Sequence, residues 1–292
     1  MLKWLIYKFL FYKVHVMKTF IRRPGNKTKQ LKHIIPLIPE FTGTYIEPFL
    51  GTGAIYLNLL PKKAILNNFN TDIINIWKLV KDDPEYIIKE INKFKKIFLP
   101  KNNDEKLKYC KKILAKMDTY IGNKRTILYL ILIYCSFNGT LINKSNEWYI
   151  SGLYIHIYQD QSVHIFTENF KNKIRKLSEI LSNKSQKIYN TDYIKILEKA
   201  QKGDFVFLDP PYIEDRNYAF NYNKEEIFDI NELKSQVDIL TKNKVKWMMT
   251  QIDTPDVRLL FKKYKFKKYK NNSNFQSTVS TSKKEVIITN YF

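Results

Sequence analysis

Asp209-Pro210-Pro211-Tyr212 places a carboxylate, outward-facing carbonyls and an aromatic ring within four residues. The paired prolines fix φ and remove two backbone donors, so the turn is stiff and its carbonyls lack ladder partners. That set suits a planar substrate bearing an amino group. Tyr212 would stack on the ring while Asp209 Oδ and the Pro210 carbonyl accept hydrogen bonds from the exocyclic NH2. The amine of adenine or cytosine is a poor nucleophile because its lone pair is delocalised into the ring. Holding both N–H bonds lets the nitrogen pyramidalise and stabilises the positive charge that grows as it attacks a methyl group. Taken alone, the tetrapeptide fits an ordinary strand-ending turn equally well.

The elements around it decide between these readings. Phe205-Val206-Phe207-Leu208, opened by Gly203-Asp204, reads as a buried parallel strand, and ligands of open α/β sheets sit beyond such strand ends. Thr44 to Phe49 reads as another strand, Leu50-Gly51-Thr52-Gly53 as a tight turn and residues 54–60 as a helix. Strand, Gly-x-Gly turn and helix open a doubly wound nucleotide-type fold. The third glycine of a dinucleotide fingerprint is missing, which disfavours NAD or FAD. Residues 64–68 read as a second strand whose polar end, Asn67-Asn68, suits a ribose. Thr71-Asp72 is expected to cap a helix running to about Val80.

Residues 84–135 read as mainly helical, with a polar loop at 99–108, because apolar positions such as Ile87, Ile88, Ile91 and Phe94 recur at helical spacing. Near 136–158 the pattern becomes turn and hairpin, where Lys144, Asn146, Trp148 and Tyr149 could flank bases or simply cover an exposed hairpin. A helix is expected over 168–181 and a strand over 187–190, then Thr191-Asp192-Tyr193 at the start of a helix. After Tyr212, residues 213–229 form an aromatic, polar loop that could close over a base. Helix 231–241, strand 246–250, helix 256–264 and strands near 265–271 and 285–291 complete the sheet. The connection 271–284, with Lys283 and Lys284, is a candidate phosphate contact.

The 292-residue chain is 44% hydrophobic with a formal charge of +22, which fits a globular protein with a polyanionic partner. Arginine occupies only positions 22, 23, 125, 175, 216 and 258, so the charge is almost all lysine. With so many Ile and Asn, that bias matches an A/T-rich coding sequence and weakens the inference from charge alone. Cys110 and Cys135 are the only cysteines and stand at no metal-ligand spacing, which argues for a reducing, intracellular setting without a structural metal. Residues 1–16 are interrupted by Lys3, Lys8 and Lys13, too often for a membrane span or signal core, and read as an accessory extension or an over-long start at which Met17 is the alternative.

In this order the motifs resemble the Dam-type DNA adenine-N6 methyltransferases, the alpha group. Glu47-Pro48-Phe49-Leu50-Gly51-Thr52-Gly53 is similar to that group's Glu-Pro-Phe-x-Gly-x-Gly segment, and Asp209 to Tyr212 matches outright, over a resemblance spanning about 20 to 291. It implies a Rossmann-like sheet at 17–80 and 185–292 that binds S-adenosyl-L-methionine (AdoMet), and a mainly helical target-recognition insert at 81–184. It also implies double-stranded DNA as partner, and leaves a cognate restriction endonuclease open as a second. Lys27 then closes the N-terminal segment against AdoMet. Phe49, Gly51 and Gly53 shape the methionine end of its pocket, Asp192 and Tyr193 meet its adenine, and Arg23, Glu47, Asn68 and Asp209 join the cofactor-binding set. Asp209, Pro210 and Tyr212 hold the flipped target adenine beside the methyl group, and Asn138 lies near the DNA; Lys144, Asn146, Lys283 and Lys284 are candidate DNA contacts from their residue types alone.

Three departures bear on this. Arg23-Pro24-Gly25-Asn26-Lys27 replaces the family's Trp-x-Gly-Gly-Lys, so a cation at Arg23 stands for an aromatic wall. Asn68 stands where an acidic residue is expected on the ribose hydroxyls, at an expected loss of roughly 1 kcal/mol. The stretch 140–152 lacks the arginine used against guanine, so a GATC target does not follow. The competing readings are a methyltransferase for cytosine N4, RNA or a protein glutamine, and a degenerate methyltransferase scaffold that only binds DNA.

Overall fold

The structure is a computed structural model and describes residues 17–144, 147–150, 164–212, 228–269 and 285–291. In chain order the strands are β1 (Tyr45–Glu47), β2 (Ala64–Asn67), the separate hairpin of β3 (Leu141–Lys144) and β4 (Glu147–Ile150), β5 (Gln186–Tyr189), β6 (Phe205–Leu208), β7 (Lys246–Ile252), β8 (Lys265–Lys268) and β9 (Glu285–Thr289). The main sheet runs β5-β2-β1-β6-β7-β9-β8. Its first five strands are parallel, and β9 pairs antiparallel with both β7 and β8. From β1 the chain moves outward through β2 and β5, then crosses to β6 on the other side. The crevice between the carboxyl ends of β1 and β6 is therefore the switch point, where such sheets bind ligands.

β6 shows why the sheet is two-faced. Successive side chains alternate, so Phe205 and Phe207 join one core and Val206 and Leu208 the other. On the first face the core is continuous with the helices of residues 84–135 and 168–181, through Phe94, Leu130 and Phe170. The second core gathers Val237, Leu240 and Phe261 beneath β7. Each such buried side chain contributes about 1.5–3 kcal/mol, which fixes the strand end from which Asp209 projects.

The helices are α1 (Leu31–Ile34), α2 (Ala54–Leu59), α3 (Thr71–Asp82), α4 (Pro84–Phe98), α5 (Asn103–Leu114), α6 (Gly122–Cys135), α7 (Glu168–Leu181), α8 (Tyr193–Leu197), α9 (Ile230–Lys242) and α10 (Pro255–Leu260). Two expectations change. Asn70, one residue before the expected cap, stops α3 by accepting from the Ile73 backbone N–H at 2.9 Å. The polar loop at 99–108 is half helix, because Asn102 and Glu105 form a reciprocal capping box that starts α5 at Asn103. Its lysines hid the apolar stripe of Cys110, Ile113 and Leu114. Residues 1–16, the loop 213–227, and the connection 271–284 with Lys283 and Lys284 lie outside the described residues, as does Asn146.

Gly53 closes the turn into α2 at φ +67°, and a Cβ there would lie 2.4 Å from the buried Trp77 ring. Trp77 is itself pinned by its indole N–H to the Gly51 carbonyl at 3.2 Å, so the ring has no room to retreat. Gly53→Ala is expected to lower unfolding stability by about 2–4 kcal/mol, combining left-handed strain with overpacking. Denaturant unfolding checks this, and an unshifted midpoint would show that the turn relaxes freely.

Candidate active site

The site begins with Asn26, whose side chain accepts from the Thr28 backbone N–H at 2.9 Å and donates to Thr19 at 2.8 Å. This local turn drives Lys27 inward, leaving it only 5% exposed. Its Nζ lies 2.9 Å from Asp209 Oδ1 and donates to the Tyr212 hydroxyl at 2.8 Å. Although that Nζ is 5.0 Å from the Tyr212 ring centroid, its short contact is with the oxygen, so the interaction is a hydrogen bond at the ring's edge and not a face-on cation–π contact. Burial pulls the Lys27 pKa down, but the facing charges of Asp209 and Glu285 outweigh it and hold the ammonium well above its ordinary value.

Asp209 is 19% exposed at its side chain and projects from the end of β6. Thr250 of β7 donates to the same Oδ1 at 2.6 Å. Both anchors thus fall on one oxygen, and Oδ2 has no hydrogen-bond partner among the described residues; nor has the Pro210 carbonyl. Gln251 holds the neighbouring Pro211 carbonyl at 3.4 Å, stiffening the turn. Burial raises the Asp209 pKa, only partly offset by Lys27 and Thr250, and the charge of Glu285 adds to the rise. Two open acceptors on a rigid edge, beside an anchored tyrosine, make a receptor for the two N–H bonds of an amine.

Thr250 and Glu285 escaped the sequence reading. Glu285 begins β9 and accepts from the Tyr212 hydroxyl at 3.0 Å, while its second oxygen is held by the Tyr269 hydroxyl. The signal available was a polar residue set into an apolar run: Thr250-Gln251 after Trp247-Met248-Met249, and Glu285 before Val286-Ile287-Ile288.

A second group of residues lines the ends of β1, β2 and β5. Asn67, buried, donates to the carbonyls of Pro48 (3.0 Å) and Thr191 (3.1 Å) and accepts from Thr191 N–H (3.0 Å), tying three strand ends together. Asn68 spends its Oδ1 on the Asn70 N–H at 2.9 Å, which leaves the Nδ2 end of its amide without a partner among the described residues. Asp192 caps α8 through the Ile194 N–H at 2.7 Å. Phe49 and Tyr193 face one another with ring centroids 5.1 Å apart, and Phe228 closes the third side at 5.9 and 5.8 Å. The Tyr193 hydroxyl is buried with no hydrogen-bond partner, and only Gln30 Oε1 shares that condition among the described residues. The three rings pack on one another, and a buried hydroxyl left unpaired costs about 1–3 kcal/mol, so the Tyr193 hydroxyl is suited to meet the polar edge of a ligand lying against this cluster.

The remaining candidates lie elsewhere. Arg23 is half-buried, beside the turn Phe137-Asn138-Gly139. That turn packs on the backbone of Arg22 and Arg23 so closely that a Cβ at Gly139 would lie 2.2 Å from the Arg22 carbonyl oxygen. Asn138, at φ +53°, is held exposed at the tip. Lys144 ends β3, and of its hairpin neighbours Trp148 is not free to read a base. Its indole N–H donates to the Asp118 carboxylate at 2.9 Å, and its ring lies 5.5 Å from the Arg125 guanidinium, which pairs with Asp72. Among the described residues no group of three or more His, Cys, Asp or Glu is placed to hold a metal ion, and no helix is long and apolar enough to cross a membrane.

A mostly parallel, doubly wound sheet with a buried carboxylate and an anchored tyrosine at its switch point is the architecture of an α/β enzyme with its site at the strand ends. More particularly, the chain belongs to the D12 class N6 adenine-specific DNA methyltransferase family, whose model matches residues 24–275. The type II methyltransferase M1.LlaDCHI of Lactococcus lactis subsp. cremoris is 29% identical over 287 residues, 94% of this chain and 96% of that protein. M.MjaIII, a type II methyltransferase of Methanocaldococcus jannaschii, is 28% identical over 74% of this chain and 76% of its own length. The DNA adenine methylase of Haemophilus influenzae is 25% identical over 87% of this chain and 86% of its own.

Glu47 has a distinct character in this site. It is buried at the end of β1, accepts from the Tyr45 hydroxyl at 2.7 Å, and its pKa is pushed from 4.5 up to about 8, by burial first and by the charge of Asp209. Those two influences outweigh the Tyr45 hydrogen bond, which acts in the opposite direction. Because the folded state holds the proton more tightly than the unfolded one, stability falls as pH rises from about 5 to about 8. Relative to Glu47→Gln, the wild type is expected to lose up to about 1.4 kcal/mol per pH unit across that window and to level off above it. Unfolding midpoints of the two proteins at stepped pH check this, and parallel curves would refute a neutral Glu47.

Proposed function

We propose that this chain takes the methyl group for its adenine N6 chemistry from AdoMet and acts on an adenine turned out of duplex DNA. The observation that carries the reading is the division of labour at Asp209: Oδ1 holds Lys27 and Thr250, while Oδ2 and the Pro210 carbonyl have no partner among the described residues. An exocyclic amine that donates to both has its lone pair turned out of the ring plane, and Tyr212 offers its ring as the stacking face. As positive charge develops on the nitrogen, Asp209 stabilises it in a water-poor crevice. The surplus proton on the methylated nitrogen passes to Asp209 or to water. Unstacking the base costs a few kcal/mol, which base stacking on Tyr212 offsets in part.

The residues lining the neighbouring strand ends fit AdoMet. Its adenine would meet Asp192 and Tyr193, its polar edge toward the unpartnered Tyr193 hydroxyl, on the outside of the packed cluster of Phe49, Tyr193 and Phe228. The free amide end of Asn68 would donate to a ribose hydroxyl, since its oxygen is committed to Asn70. Gly51, where a Cβ would meet only the Phe49 carbonyl at 4.0 Å, would leave room for the methionine end next to Glu47, while Gly53 holds the turn against Trp77. When bound, the group supplies an electrophilic methyl carbon on a sulfonium. Arg23 would border the AdoMet site in place of the family's aromatic wall, and Asn138 and Lys144, with Lys283, Lys284 and Asn146, would meet the DNA. The names of the relatives make the modification half of a type II restriction–modification pair the natural setting.

Two outcomes are expected from labelled AdoMet, unmethylated genomic DNA and nucleoside analysis. The wild type forms N6-methyladenine, and Asp209→Ala reduces it by about a thousand-fold or more, as for loss of a group acting in the transition state, with AdoMet still bound. DNA bound without product in the wild type would overturn the reading. The acid limb of the rate profile should fall above the ordinary carboxylate pKa of 3.8, because burial raises Asp209. In Lys27→Met that limb should move to still higher pH, since the lost cation is what lowers the aspartate; a limb that moved down would show Lys27 acting otherwise.

A further inference from the structure

Glu285 lies ten residues beyond the end of the family match at residue 275 and 73 beyond the motif tyrosine. It is a buried carboxylate, 8% exposed, on a strand of the main sheet, paired through the backbone to Ile252 at the end of β7. One of its oxygens accepts from Tyr212 at 3.0 Å and the other from Tyr269, whose ring stacks on His33 at 5.1 Å. The Tyr212 hydroxyl is thereby gripped on both sides: Lys27 donates to it at 2.8 Å and it donates to Glu285.

Resting on the reading of Tyr212 as the stacking face for the target base, we propose that Glu285 is a positioning residue for methyl transfer. It fixes the plane of the Tyr212 ring and shares Lys27 with Asp209. A tyrosine ring at the end of a turn turns about its side-chain bonds unless its far oxygen is anchored, and a charge-assisted bond to a carboxylate on a sheet strand is a strong anchor. The second effect is electrostatic. At Asp209 the negative charge of Glu285 opposes the positive charge of Lys27; without that carboxylate the ammonium would act on Asp209 unopposed and weaken it as an acceptor for the amine. Tyr269 completes the arrangement by occupying the other Glu285 oxygen, which leaves that carboxylate one orientation toward Tyr212.

The test is steady-state methyl transfer to unmethylated DNA by wild type, Glu285→Ala, Glu285→Gln, Tyr212→Phe and the double variant Glu285→Ala/Tyr212→Phe, with melting temperatures recorded in parallel. Glu285→Ala is expected to cut kcat about ten-fold or more with the KM for AdoMet within about two-fold. Glu285→Gln should recover the larger part, because its amide oxygen still accepts from Tyr212. In the double variant the two losses should not multiply, because both remove the same anchor. A kcat within about two-fold of wild type in a folded Glu285→Ala, losses that multiply, or an AdoMet KM that rises as kcat falls would each overturn the proposal. If Glu285→Ala melts below the assay temperature, the same cycle run with Glu285→Gln decides, with losses that multiply again counting against the anchor. Wild type without N6-methyladenine would instead bring down the underlying reading, and this proposal with it.

Discussion

The buried contact between Lys27 and Asp209 is the constraint on which the rest of this site depends. Two ions removed from water each lose several kcal/mol of solvation, and their attraction returns this only where geometry and further hydrogen bonds are good. Here they are: Thr250 donates to the aspartate, Tyr212 accepts from the lysine, and the charge of Glu285 adds to the hold on the ammonium. The arrangement is therefore poor as a simple source of stability and well suited to keep a carboxylate charged and aimed. Breaking one partner would leave the other buried alone, which typically costs 3–5 kcal/mol. The N-terminal turn is thus bound to the strand end across 182 positions of chain from Lys27 to Asp209.

That dependence explains the density of polar knots at the carboxyl ends of the strands. Asn67 ties the turns after β1 and β5 to β2, and Asn190 donates to the carbonyls of Asn68 (2.8 Å) and Phe69 (2.9 Å). Without such side chains the crevice loops would present unpaired backbone groups beside a core, a cost comparable to a lost hydrogen bond at each. The same knots make the crevice rigid, so that two acceptors at Asp209 and Pro210 stay aligned with a tyrosine held from two sides. Preorganisation of this kind is what allows fixed dipoles to act on a developing charge without rearranging first.

Much of this was legible in the residues. The alternation of β6, the Gly-x-Gly turn before α2 and the run Glu168–Leu181 follow from local periodicity and turn chemistry, and Lys27, Asp209 and Tyr212 do converge. The less legible parts share a cause. Thr250 and Glu285 belong to strands whose pattern announces only burial, and their partners lie 41 and 73 positions away. Asn68 could be placed at the right strand end, but which end of its amide stays open depends on the Asn70 backbone. Trp148 reads as a base-flanking aromatic because nothing nearby in sequence reveals that Asp118, 30 positions before it, takes its N–H. Local preference decides elements; long-range pairing decides which polar atoms remain available.

Residues 122–139 and the buried Lys27 are mechanically one problem. Tyr134, near the end of α6, donates to the Phe20 carbonyl at 2.8 Å, and Gly139 rests on the Arg22 backbone one turn later. Both contacts grip the segment leading into Lys27, while Arg125 of the same helix pairs with Asp72 at the start of α3, the helix after β2. The helix that carries Asn138 toward the surface therefore also sets where the N-terminal turn runs, and through it where Lys27 meets Asp209. Gly139 is needed at that crossing because any Cβ would push the turn from the Arg22 carbonyl, and the displaced segment is four residues from the buried ammonium.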